Sequence, residues 1–178
     1  MDIAGFSYAI IKARRPEEWR FFGEQVVGMS AHDVPGGLAL RMDERAGRLF
    51  IEQGAEDRYF ASGWEIRSEP AFEAALARLQ AAGTPFHKAT TAEIAIRHVF
   101  DMVWFLDPSG NRHELALGYA TSFDRFQSPV GVPAFVTGDL GLGHLVLPAP
   151  DIHATRAFLC EVMEIGRASC RERVSSPV

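Results

Sequence analysis

A chain of 178 residues, 47% of them apolar and 23% charged, has the composition of an ordinary globular protein with material for a sizeable core. Its net charge of -5 and lack of a basic stripe argue against nucleic-acid binding, and no apolar run approaches the length of a membrane span. The N-terminus lacks the basic and apolar regions of a signal peptide. The two cysteines, Cys160 and Cys170, make no disulfide framework, so a cytoplasmic location is expected.

Residues 5–11, Gly5-Phe6-Ser7-Tyr8-Ala9-Ile10-Ile11, are β-rich. A helix follows. Pro16 suits its first turn, Glu17 and Glu18 favour the positive end of its dipole, and Trp19, Phe22 and Val26 predict one apolar face. Gly28 is placed to stop it. Residues 38–42 and 48–53 read as strands separated by the charged turn Asp43-Glu44-Arg45-Ala46-Gly47.

The pattern then restarts. Residues 63–67 read as a strand, and Ser68 is an N-cap with Glu69 and Pro70 in the first turn. Phe72, Ala75, Leu76 and Leu79 mark an amphipathic helix ended by Gly83. Residues 92–98 suggest a short helical turn. Residues 102–106 and 113–119 are strands flanking the turn Asp107-Pro108-Ser109-Gly110-Asn111. A third start follows a linker with Pro129 and Pro133: a strand over 143–147, then a helix capped by Asp151 with Thr155, Phe158, Leu159 and Val162 on one face. The repeating unit is strand-helix-strand-strand-strand, roughly sixty residues long. The fold class is α+β.

The βαβββ repeat, the segment from Asp107 to Leu115, and the run Phe135-Val136-Thr137-Gly138-Asp139-Leu140-Gly141-Leu142-Gly143-His144 resemble the type I extradiol ring-cleavage dioxygenases of the vicinal oxygen chelate superfamily. The likeness is to 2,3-dihydroxybiphenyl 1,2-dioxygenases and 1,2-dihydroxynaphthalene dioxygenases. It implies an N-terminal vicinal oxygen chelate domain over 1–121 without a metal site, a linker over 122–140, and the start of a catalytic domain over 141–164. The third strand and helix are then expected to pack loosely or against another chain. Residues 165–178 (Ile165 to Val178) break the pattern and resemble an adventitious tail of translated assemblies. They are expected to lack order.

The resemblance further implies His144 as the first of three ligands to ferrous iron, manganese being the other metal expected, with the remaining ligands beyond Val178. Val146, two residues on and on the same strand face, matches a position lining the aromatic-ring cleft. The implied partners are a catecholic substrate and dioxygen, and the implied full-length parent is a homo-oligomer that opens the ring beside the diol. The chain by itself is expected to be inactive. In the N-terminal half, Phe6 and Trp64 stand at the ligand-histidine positions and Glu114 at the carboxylate position, which makes no facial triad. His32, His87 and His98 are scattered without ligand spacing, and His113 flanks a turn. The alternative is a non-catalytic superfamily member that sequesters a small molecule between βαβββ modules.

Overall fold

The computed structural model describes residues 1–138 and 141–165. The first module comprises β1 (Gly5–Ala13), α1 (Pro16–Phe21), β2 (Ser30–Val34), β3 (Gly37–Arg41) and β4 (Leu49–Gln53). The second comprises β5 (Arg58–Ile66), α2 (Glu69–Ala81), β6 (Phe86–Lys88), α3 (Thr91–Arg97), β7 (Asp101–Leu106) and β8 (Arg112–Leu117). All eight strands form one sheet in the order β2-β3-β4-β1-β5-β8-β7-β6. The two leading strands, β1 and β5, pair antiparallel at its centre, and each pairs in parallel with the last strand of its own module. The expected pair of βαβββ modules is therefore present.

Alternation along the strands divides the core between two faces. The inner, concave face carries Tyr8, Ile10, Ala39, Phe50, Ala61, Met102 and Ala116. The outer face is covered by α1 over Leu38, Leu40 and Ile51, and by α2 over Ile66, Val103, Phe105 and Leu115. The second helix follows its predicted pattern. The Ser68 side chain accepts from the Ala71 N–H, and Phe72, Ala75 and Leu79 are buried.

The first helix departs from its predicted face. It continues from α1 as a π-helical stretch, Phe22–Val27, in which the Gly28 N–H donates to the Gly23 carbonyl at 2.9 Å. The wider i→i+5 turn rotates the later residues about the axis. Gly23 becomes the buried position, while Phe22 and Val26 are exposed. Gly23 presses against Leu40: a Cβ there would stand 2.7 Å from Leu40 Cδ2. Gly28 ends the helix at φ +87, as its position predicts.

Two expectations for the third start are corrected. Residues 143–147 form no strand, because after Gly141 the backbone meets no ladder partner among the described residues. The helix that follows, α4 (Ile152–Ala157), continues through a π-helical Phe158–Val162 and packs firmly on the second module. Phe158 and Met163 join the outer core cluster, with the Phe158 and Phe105 ring centroids 5.9 Å apart. Arg78 on α2 donates to the carbonyls of Glu161 and Val162, the latter at 2.7 Å, and the N-terminal ammonium pairs with Glu164. Ile165 also packs on this cluster, so the expected loss of order does not begin there. The rest of the proposed tail, residues 166–178, lies outside the described residues.

Candidate functional site

The inner face of the sheet is filled by the chain's own side chains. Glu114 on β8 projects into it beside Ala116, opposite in facing to Leu115, as strand alternation predicts. Its carboxylate is fully buried. Oε2 accepts from the Tyr8 hydroxyl at 2.8 Å and from Arg97 Nε at 3.3 Å, and Oε1 accepts from Arg112 Nε at 2.9 Å. Arg97, on α3, also reaches Glu52 on β4 at 2.6 Å, and Glu52 binds Lys12 Nζ at 2.5 Å. The cations lie over aromatic faces, Arg97 on Phe50 and Arg112 on Trp104 and Phe60.

This network supplies what a buried carboxylate requires, paired charge and hydrogen bonds. Burial and the adjacent Glu114 charge push the Tyr8 hydroxyl well above its ordinary pKa, so it remains a donor. Burial pushes Glu52 upward, but Arg97 and Lys12 outweigh it and hold the group below the usual range. Gly63 makes room for the Tyr8 phenol. The two residues are register partners, and a Cβ on Gly63 would fall 2.2 Å from Tyr8 Cζ.

Phe6 and Trp64 do not face this cup. Trp64 lies on the outer face, where its Nε1 donates to His113 Nδ1 at 3.0 Å, and Phe6 rests against it with ring centroids 5.2 Å apart. A register shift between Phe6 and Tyr8 turns the strand, so Tyr8 and Gly63 occupy the inward positions instead. Among the described residues, no three His, Cys, Asp or Glu side chains come together as a metal site requires.

His113 is more than a turn neighbour. It is fully buried, and its Nε2 lies 3.4 Å from Asp107 Oδ2. Asp107 Oδ1 accepts from the Ser109 and Asn111 backbone N–H groups, closing the predicted turn. Asn111 Nδ2 donates to Asp107 Oδ2 and to the Pro148 carbonyl, and the Ser109 and Thr155 hydroxyls meet at 2.6 Å. The turn thus anchors the third segment.

A second anchor lies at Gly141. Its backbone bridges Phe6 in parallel, and the Leu142 N–H donates to the Phe6 carbonyl at 2.9 Å. The approach requires glycine: φ is +78, and a Cβ would overlap the Phe6 oxygen at 1.9 Å. His144 and Val146 lie between the two anchors. Both are exposed, Val146 at 84%, and the unpaired backbone gives them no shared strand face.

The comparisons with known proteins agree with this architecture. A family model, "Dihydroxybiphenyl dioxygenase BphC D1", matches residues 6–54. An iron-dependent extradiol dioxygenase of Rhodococcus jostii is 38% identical over 165 residues, covering 92% of this chain and 55% of its own. Over nine-tenths of its length the chain is similar to an extradiol dioxygenase. A second extradiol relative, the 3-methylcatechol 2,3-dioxygenase of Pseudomonas putida, is 35% identical over 92% of this chain and 57% of its own. Among solved structures, the halotolerant catechol dioxygenase BphC superposes with a TM-score of 0.85 at 34% identity, covering 90% of this chain and 55% of that one. The chain spans about half the length of the curated relatives it matches.

Proposed function

We propose that the chain is the metal-free N-terminal domain and the opening of the catalytic domain of an extradiol dioxygenase. In this reading the whole protein opens a catechol-type aromatic ring beside its diol with dioxygen at a non-haem ferrous centre, manganese being the alternative metal. The observation that supports the reading is the similarity of nine-tenths of the chain to an extradiol dioxygenase, with the segment that carries His144 tied to Phe6 at one end and to Asn111 at the other. Val146 is proposed to line the substrate cleft once the remainder of the catalytic domain surrounds it. A homo-oligomeric cytoplasmic enzyme of aromatic catabolism is the corresponding biological setting.

The described residues do not complete an iron site. His144 offers one exposed imidazole, and the Glu114 carboxylate is already bound by Tyr8, Arg97 and Arg112. Two histidines and a carboxylate on one face are needed for this class of iron centre. The chain alone is therefore proposed to lack ring-cleavage activity.

The test is to express this chain, and the chain extended by the sequence encoded downstream of residue 164, with ferrous iron under anaerobic loading. Ring-opened product is then followed by absorbance after adding 3-methylcatechol or 2,3-dihydroxybiphenyl with oxygen. The extended protein is expected to turn over and its His144→Ala variant to fail. Robust turnover by the present chain would overturn the reading.

A further inference from the structure

The sheet curls far enough that β2, at one edge, returns to α3. Val34 packs with Ile94 and Ile96 in the inner cluster there. At this closure His32 of β2 faces His98, the residue that ends α3, with ring centroids 6.3 Å apart and planes tilted by 58°. The sequence separates these histidines widely, and only the curl brings them together. Both are half-buried, and neither ring makes a hydrogen bond among the described residues. His98 is held in the left-handed region at φ 54, which is uncommon for a non-glycine residue and fixes where its ring emerges.

Two clefts share the pair. One, of about 280 Å³, is walled by Val34, Pro35, Ala95 and Ile96. The other, of about 490 Å³, is lined by Ser30, Arg41, Thr121 and Asp124 and opens to solvent. The pair therefore has an apolar wall behind it and room for water in front.

We propose that His32 and His98 form a bis-imidazole site for a divalent transition metal of the zinc, nickel or cobalt type, with water completing the coordination. A nitrogen–metal distance of about 2.1 Å places a metal roughly 3.2 Å from each ring centre. At a tetrahedral angle between the two nitrogens the ring centres would stand roughly 5.3 Å apart, so side-chain rotation must close the observed 6.3 Å separation by about 1 Å for the rings to share a metal. The ligating form of imidazole is neutral. Burial lowers the pKa of both histidines, and the neighbouring His98, Arg41 and Arg20 lower that of His32 further against the opposing Asp33. The nearby cations are committed elsewhere: Arg41 donates to the Arg45 and Asp124 carbonyls, and Arg20 pairs with Asp33. An all-imidazole donor set favours these metals over calcium or magnesium. A bound metal would tie the edge of the first module to the second.

The experiment uses the chain in a His144→Ala background, which removes the proposed iron ligand and keeps the two hypotheses separate. Zinc binding is measured by calorimetry, and cobalt binding by its visible spectrum. One equivalent is expected, with a rise in the thermal midpoint on adding zinc. His32→Ala or His98→Ala should each weaken binding by at least roughly tenfold, the scale on which even outer-sphere losses act. His87→Ala, whose ring stacks on Trp104, should leave binding unchanged. Independently of folding effects in the variants, nickel should selectively broaden the His32 and His98 ring protons of the unsubstituted pair in NMR spectra. Absence of binding, binding that survives the double substitution, or broadening confined to other histidines would overturn the proposal.

Discussion

The Asn111 side-chain amide donates to the Pro148 carbonyl at 2.8 Å, tying the turn before β8 to the segment that carries His144. The same nitrogen donates to Asp107 Oδ2 at 2.9 Å, so one side chain closes its own turn and holds a residue far along the chain. The other end of the segment is held at Phe6 by the Leu142 N–H. The placement of His144 thus depends on both modules.

Asn111→Ala removes both amide bonds and leaves the Asp107 carboxylate short of a partner in a buried site. The expected cost is about 1–3 kcal/mol in urea unfolding. Hydrogen–deuterium exchange should rise more over residues 148–155 than in β1 or β5. Uniformly increased exchange would mean that the segment is not held by this contact.

The buried network of the cup makes an asymmetric prediction. Tyr8→Phe removes one neutral donor from Glu114 and should cost about 1–2 kcal/mol. Arg97→Met removes the cation shared by Glu114 and Glu52, leaving only Arg112 and Lys12 to hold them, and should cost about 3 kcal/mol, the lower end of the range for breaking a buried pair. With Glu114→Gln added, much of that loss should return. Denaturant unfolding of the single and double variants measures the coupling, and simple additivity would show that Arg97 and Glu114 do not act as a pair.

Much of the fold is legible in the sequence because its signals are local. Ser68 with the Phe72, Ala75 and Leu79 spacing defines α2, and Asp107 to Asn111 defines a turn whose hydrogen bonds close within five residues. The missing elements lack such signals. In β2, the run Ser30-Ala31-His32-Asp33-Val34 has no clear apolar alternation, because it is an edge strand only partly covered. The face of α1 is misread because π-helical turns change the residue spacing. Residues 143–147 look like a strand by composition, but a strand also needs a partner. The candidate sites are the least legible part. Glu114 is singled out only through its carboxylate position in the resemblance, its partner Arg97 carries no sequence signal, and His32 meets His98 only through the curl of the sheet.

The carboxylate contribution to stability should fall on acidification from about pH 4.5, the ordinary value for Glu52. Burial favours its neutral form, but Arg97 and Lys12 win and depress the folded-state value. Asp107 is depressed in the same sense: burial raises it, and His113 and Asn111 more than reverse this, so its contribution fades below about 3.8. A depressed carboxylate binds protons more weakly in the folded state, so its stabilisation is complete above the unfolded value and is lost as pH falls through the folded one. Urea midpoints measured from pH 7 downward should decline below about 6.5, where the unfolded chain protonates His32 and His98 more readily than the folded one, and drop further below 4.5. Glu52→Gln should make that drop shallower; an unchanged slope would assign the acid sensitivity to other groups.

The packing of α4 can be tested without any metal or substrate. Phe158 is 9% exposed and meets Phe105, while Met163 is fully buried in the same cluster. If this helix is part of the first domain's core, Phe158→Ala should lower the free energy of unfolding by about 3 kcal/mol, near the bottom of the range for buried phenylalanines because the site lies at the rim. The transition should stay single and lose stability throughout. An independently packed or loosely attached helix would give a different result: little change in the main transition, and enhanced exchange confined to residues 152–165. Ile152→Ala supplies the contrast. It lies on the same helix at 63% exposure, and its replacement should change stability by only a few tenths of a kcal/mol.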